Sequence, residues 1–364
     1  MNRIAGVLLV AAAGATLIAA GCSRSKKLIE WGWDEPDPAF MRAHIEELEA
    51  SPFDGIVYHL SYATPEGKPG NFSWQCWGRK AFTMDELAPA LADLRATPFR
   101  RLTDNFLRFN VTPVDLGWFD DWSAVLGNAR LAAAVARRGG SKGVCFDTEP
   151  YENRAFWNYA KQPDTTARGW SDHVAQARRR GAQLMEAFQD SFPDITVFTS
   201  FGVSVAYDQQ TRHRVPPRTQ DYGLLVPFLD GMVDAARGRA RIIEGFEGAY
   251  PVRDGTEFAR LAEQARGPML SLVADRSKFR KVVSYGFGIW MDYDWQGKGW
   301  STARPDSNFR PPAQLEAVLR AALQASDEYV WLYSEKPRWW TEQRTTQDLP
   351  EAYRNAVHRA RGRK

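Results

Sequence analysis

The stretch Gly143–Tyr151, GVCFDTEPY, decides the fold. Its first five residues form a short apolar run ending in an acid, the pattern of a buried strand. An amphipathic helical pattern follows near 171–191. Strand alternation puts Cys145, Asp147 and Glu149 on one side of this segment. The same strand-then-helix unit recurs outward in both directions. Toward the N-terminus lie NFLRFNV (105–111) with a helix near 123–138, GIVYHL (55–60) with a helix near 83–95, and LIEWGWD (28–34) with a helix near 38–50. Toward the C-terminus lie ITVFTSF (195–201) with a helix near 222–236 and RIIEGF (241–246) with a helix near 255–275. The last two are VVSYGFGIWM (282–291) with a helix near 311–325 and EYVWLYS (328–334) with a helix near 349–361. Thr83 with Glu86 three residues on is a capping-box signature for the second helix.

Strands alternating with helices predict a parallel sheet. Eight such units in a chain of this length predict an α/β fold, a single-domain (β/α)8 TIM barrel over residues 28–364. A doubly wound sheet would place a Gly-rich phosphate loop after its first strand, and none is there.

The N-terminus carries a separate message. Arg3 is followed by an apolar run over residues 4–19, then Ala19, Ala20 and Gly21 lead to Cys22. This resembles the bacterial lipobox, with Ala19 where Leu is usual. The resemblance implies a signal peptide over 1–21, lipidation at Cys22 and a short tether over 22–27, with an ordinary secretory signal or an uncleaved anchor helix as the alternatives. The run is shorter than the roughly 20 apolar residues of a membrane span. The lipid would then be the sole contact with the membrane, holding the chain at the cell envelope. Ser23 after the Cys, in place of Asp, leans toward outer-membrane delivery.

Arg3 is the signal's only charged residue, so 46 of the 47 Lys and Arg remain against 44 Asp and Glu. That balance excludes the basic footprint of a nucleic-acid partner. Cys76 and Cys145 could pair in an oxidising compartment, but Cys145 sits in an apolar strand, where a buried free thiol is the commoner case. His44, His59, His173, His213 and His358 are scattered, so no metal and no cofactor is expected.

In a barrel the active site lies at the C-terminal ends of the strands. Thirteen of the 14 Trp fall there or in the loops beyond, Trp170 being the exception. Indole faces suit pyranose C–H faces, and carboxylates and Asn suit hydroxyls. The expected substrate-binding set is Trp33, Asp34, His59, Asn110, Trp118, Tyr151, Glu247, Trp290, Tyr293, Asp294, Trp295 and Trp331. The expected partner is therefore a carbohydrate.

Asp147 and Glu149 are close enough for one carboxyl to hold its proton to a higher pH. A protonated acid over a glycosidic oxygen is what general-acid cleavage requires. An Asp-x-Glu at the end of strand four resembles the chitinase-type retaining glycoside hydrolases, which imply Glu149 as acid and Asp147 as its assistant. The same family has a Met-x-Tyr-Asp strand ending and a Trp on its last strand, matched by Met291-Asp292-Tyr293-Asp294 and Trp331. Here the first of those lies on unit seven, whereas the family has it on strand six. Asp292 ranks first as second carboxylate, then Glu335 and Glu247. The resulting expectation is an exported glycoside hydrolase; the alternatives are a non-catalytic carbohydrate-binding lipoprotein and another barrel hydrolase.

Overall fold

In the computed structural model, residues 25–113, 115–294, 299–340 and 349–362 are described. Cys22 and Trp295 lie outside them. Nine parallel strands form one sheet: β1 (Lys27–Glu30), β2 (Gly55–Tyr58), β3 (Phe106–Asn110), β4 (Gly143–Asp147), β5 (Thr196–Thr199), β6 (Arg241–Glu244), β7 (Val283–Tyr285), β8 (Phe287–Trp290) and β9 (Tyr329–Tyr333). Each pairs with the next from β1 to β7, and β8 pairs with β9, which returns to β1 through Leu28↔Val330. Gly286 alone separates β7 from β8, so the two runs are one interrupted strand and the sheet closes as a (β/α)8 barrel. A Cβ at Gly286 would come within 2.6 Å of the Tyr329 carbonyl, so the strand can pass its neighbour there only without a side chain.

The expected units are all present. The helices Ser123–Arg138, Trp170–Ser191 and Pro312–Ala325 fall within a residue or so of their predicted spans. Thr83 caps Met84–Ala96: the Thr83 N–H donates to Glu86 Oε2 at 2.8 Å while the Glu86 N–H donates to Thr83 Oγ1 at 3.4 Å. Three details differ. The first helix breaks at His44 into Pro38–Ala43 and Ile45–Ala50. The sixth ends at Arg266, because Gly267 precedes Pro268 and that residue is disfavoured from continuing the helix. The loops also contain a hairpin, Ser61–Ala63 with Pro69–Asn71, and two short helices, Val203–Thr211 and Arg276–Val282.

Alternation divides the core in two. Ile29, Val57, Phe106, Cys145, Phe198, Ile243 and Tyr329 fill the barrel interior. The opposite strand faces, including Leu28, Ile56, Leu107 and Val144, pack against the helices. Cys76 belongs to that outer layer and Cys145 to the inner one, and both are buried free thiols. No helix among the described residues is long and apolar enough to cross a membrane.

Candidate active site

Parallel strands closed into a barrel bring their C-terminal ends to one mouth. Alternation on β3 turns Phe106, Arg108 and Asn110 inward, and Arg108 becomes the hub of one wall. Its Nη1 donates to Glu35 Oε2 at 2.8 Å, its Nη2 to Asp147 Oδ2 at 2.8 Å, and its Nε to Asn110 Oδ1 at 2.6 Å. Asp147 also accepts from Tyr151 OH at 2.8 Å and from Ser200 Oγ at 3.1 Å. The guanidinium sits 5.1 Å from the ring centre of Trp74, within cation–π range. His59 Nδ1 lies 3.5 Å from Glu35 Oε1. Burial pushes the Glu35 carboxyl up, but Arg108 and His59 outweigh it and hold it below the usual range. Burial likewise opposes charge on His59, yet Glu35 and Asp37 raise its pKa overall. This wall is a charge-assisted network in which each ionised group has a partner.

The opposite wall is different. After β6, Phe246 takes a left-handed backbone (φ 49°, ψ 59°), a strained conformation for a residue with a Cβ. That turn carries Glu247. Glu247 is half-buried, and its carboxylate has no hydrogen-bond or ion-pair partner among the described residues. Burial, then Glu149 and Asp147, push its pKa well above the carboxylate range. Glu149 stands at the rim and reaches solvent, yet it too is raised, first by the protein packed around the mouth and then by Asp147. Glu247 therefore titrates in the field of Glu149 and Asp147.

Between the walls lies a floor of rings. Trp331 is buried, donates its indole N–H to the Gly245 carbonyl at 2.8 Å, and packs 4.6 Å from Trp31. Tyr250 stacks on Tyr333 at 5.6 Å and 13°, with half-buried Trp290 5.6 Å from each. Among the described residues two indoles are exposed, Trp33 at 66% and Trp74 at 36%. Trp33 Nε1 donates to Tyr333 OH at 2.8 Å, and Tyr333 OH donates to Glu335 Oε1 at 3.1 Å.

Several expected residues have other work. Asp292 is buried and accepts the backbone N–H groups of Glu335 and Lys336, at 3.1 and 2.8 Å, and the Trp290 indole N–H at 3.0 Å. Its lone pairs pin the loop after β9, which leaves it unsuited to be the second carboxylate. Asp34 accepts from the backbone of Trp339 and Trp340, fastening the same loop to the first one. Asp294 pairs with Lys336 at 2.7 Å, and Tyr293 packs on Phe309 at 4.8 Å. Trp118 is 2% exposed and stacks on Phe156 at 4.5 Å, inside an aromatic cluster with Trp122 and Trp157 in the outer layer. Eight of the 13 described Trp are buried, Trp31 and Trp331 in the floor and the other six in the outer layer, so loop position overstated how many line the mouth. Glu244, on the outer face of β6, accepts the N–H groups of Gly202, Val203 and Ser204 and caps Val203–Thr211.

The residue that sequence reading missed is Arg108. A lone Arg inside the apolar run NFLRFNV, two positions before Asn110, was the available signal. Glu35 and Ser200 were missed with it. Among the described residues, no three His, Cys, Asp or Glu side chains are grouped to hold a metal ion.

No protein-family model and no curated protein matches the sequence. Solved structures similar to the chain include an exo-β-1,4-mannosidase from Opitutaceae bacterium strain TAV5 (11% identity, TM-score 0.46), covering 93% of this chain and 61% of that one. A GH18 chitinase from Pseudoalteromonas aurantia is 10% identical (TM-score 0.44), over 92% of this chain and 100% of that one. A 3-keto-D-glucoside 4-epimerase from E. coli is 12% identical (TM-score 0.44), over 93% and 100%. One fold hosts many chemistries, so the reaction has to be read from the mouth itself.

Proposed function

We propose that this chain is an exported, lipid-anchored glycoside hydrolase that cleaves an oligo- or polysaccharide with Glu149 as general acid and Glu247 as the second carboxylate. The carrying observation is the raised pKa of both groups in one aromatic-rimmed mouth. Hydrolysis uses the state with Glu149 protonated and Glu247 ionised. Glu247 holds its proton the more tightly of the two in the free protein, so this is the less populated singly protonated state and the bound glycan has to select it. Glu149 protonates the glycosidic oxygen as the bond to the anomeric carbon breaks. Water attacks that carbon and gives its proton to Glu247. Arg108 Nη2 holds the Asp147 side chain at 2.8 Å, and Asp147 Oδ1 in turn accepts the Glu149 backbone N–H at 3.3 Å, which fixes the strand end that carries Glu149. Trp33 and Trp74 offer the exposed ring faces on which a pyranose stacks.

The test is hydrolysis of a polysaccharide panel, read as released reducing ends, by the wild type, Glu149→Gln and Glu247→Gln. Both variants are expected to fold, to bind glycan and to lose hydrolysis. Full activity in Glu149→Gln would overturn the assignment. Glycan binding with no reducing ends released, even by the wild type, selects the non-catalytic binding lipoprotein. That second reading draws on the Arg108 network, which leaves Asp147 fully engaged.

A further inference from the structure

The end of the barrel opposite the mouth carries a basic concavity of about 980 Å³, set among the starts of the strands. Its lining holds seven Lys and Arg against three Asp and Glu. The three acids are each taken by an Arg: Asp194 by Arg239 at 3.1 Å, Asp327 by Arg266 at 2.6 Å, and Glu328 by Arg241. Of the other four cations, Lys27 pairs with Asp104 at 3.1 Å, and Lys142, Arg280 and Lys281 have no ion pair among the described residues. Arg280 and Lys281 are exposed and Lys142 half-buried. Two uncharged groups in the same lining, Ser284 Oγ and Tyr285 OH, are buried with no hydrogen-bond partner. The hydroxyls are covered, so it is the unpaired cations of the concavity that attract oxygen-rich anions.

The chain's path says which anion meets it. Ser25 lines this concavity and Lys27 opens β1 at the same end. Cys22 is five residues before Lys27, and five residues span at most about 18 Å. Whatever holds Cys22 is therefore within about 18 Å of this face. We propose that the basic end of the barrel docks on anionic phospholipid headgroups, with phosphates seated among Lys142, Arg280 and Lys281. The proposal builds on the lipid-anchor reading. It gives the anchored enzyme an orientation: strand starts against the bilayer, with Glu149, Trp33 and Trp74 facing away from it.

The test uses the chain from Ser23 onward, which contains the whole closed barrel and lacks an acyl group. Its partitioning onto phosphatidylcholine vesicles is compared with vesicles containing phosphatidylglycerol. Binding is expected on the anionic vesicles alone and to fade as salt rises. Neutralising the cluster with K142Q/R280Q/K281Q is expected to weaken it roughly a hundredfold, since each basic side chain near such a surface is worth about fivefold. Melting curves check that the triple variant folds; a second variant, K281Q alone, should show a partial loss. Equal binding to both vesicle types, or no change in the triple variant, would overturn the proposal. Displacement from the vesicles by millimolar inorganic phosphate alone would replace it with a small-anion site. Mass spectrometry of the N-terminus from the full chain expressed in a bacterium reads acylation of Cys22 independently, so failure of the anchor and failure of the docking face are told apart.

Discussion

The two walls of the mouth are built from the same residue types and satisfied in opposite ways. On the β3–β4 wall, Arg108, Glu35, Asp147, Tyr151 and Ser200 meet one another's hydrogen-bonding needs. On the β6 wall, half-buried Glu247 has a strained turn before it and no polar partner among the described residues. A satisfied buried network holds a shape, whereas a half-buried carboxyl in a cleft with no protein partner is left open to a ligand or a proton. On the proposed function, the contrast assigns positioning to the first wall and reaction to the second, and each expected outcome below tests it.

The largest effect is on turnover. Glu149→Gln and Glu247→Gln are each expected to lower hydrolysis by about 10² to 10⁴, the usual contribution of a positioned acid or base. Asp292→Asn should instead act through stability, because it loosens the loop held by Glu335 and Lys336. A split between melting temperature and kcat for these variants checks that division of labour.

Next comes the stability of the satisfied wall. Arg108→Met strands Glu35 and Asp147 in the interior and is expected to cost about 3–5 kcal/mol in urea unfolding. Glu247→Gln removes a group that has no partner to lose, so it should cost nothing at about neutral pH.

The pH dependence of the two walls has opposite sign. Glu35 has a folded pKa below its usual 4.5, so its contribution is complete above that value and is lost as pH falls through the folded one. Glu247 has a folded pKa well above 4.5, so the folded state binds its proton more tightly and stability falls as pH rises from 4.5 toward the folded value. Glu247→Gln is therefore expected to be more stable than the wild type at about pH 7 and equal to it at about pH 4. Thermal melts across that range measure the difference, and a flat difference would remove the contrast between the walls.

The smallest stability change belongs to the exposed rings. Trp33→Ala is expected to alter stability by about 0.5 kcal/mol or less while weakening glycan binding. Trp118→Ala, in the outer aromatic cluster, is expected to cost about 3–5 kcal/mol. Calorimetric titration beside unfolding curves separates the two roles.

These roles were unequally legible. Position after a strand made all the Trp look alike, because sequence spacing says which loop a ring occupies and nothing about which layer covers it. Trp118 and Trp33 differ only in what packs over them. Asp292 and Glu247 illustrate the same gap: both follow strand ends. Asp292 meets amide groups from a loop more than 40 residues away, and Glu247 meets none. Arg108 was readable as an anomaly in its strand, but its partners come from β4 and the first loop.

By itself the sequence determined the eight strand-then-helix units, the capping of Met84–Ala96, and the placing of Asp147 and Glu149 at a strand's end. Those features depend on local periodicity and on side chains a few residues apart. Only the tertiary structure decided which acids are spent on backbone amides, which rings face a ligand, and where the basic residues of separate strand starts converge. Those outcomes depend on closure of the barrel, which brings together groups that lie hundreds of residues apart in the chain.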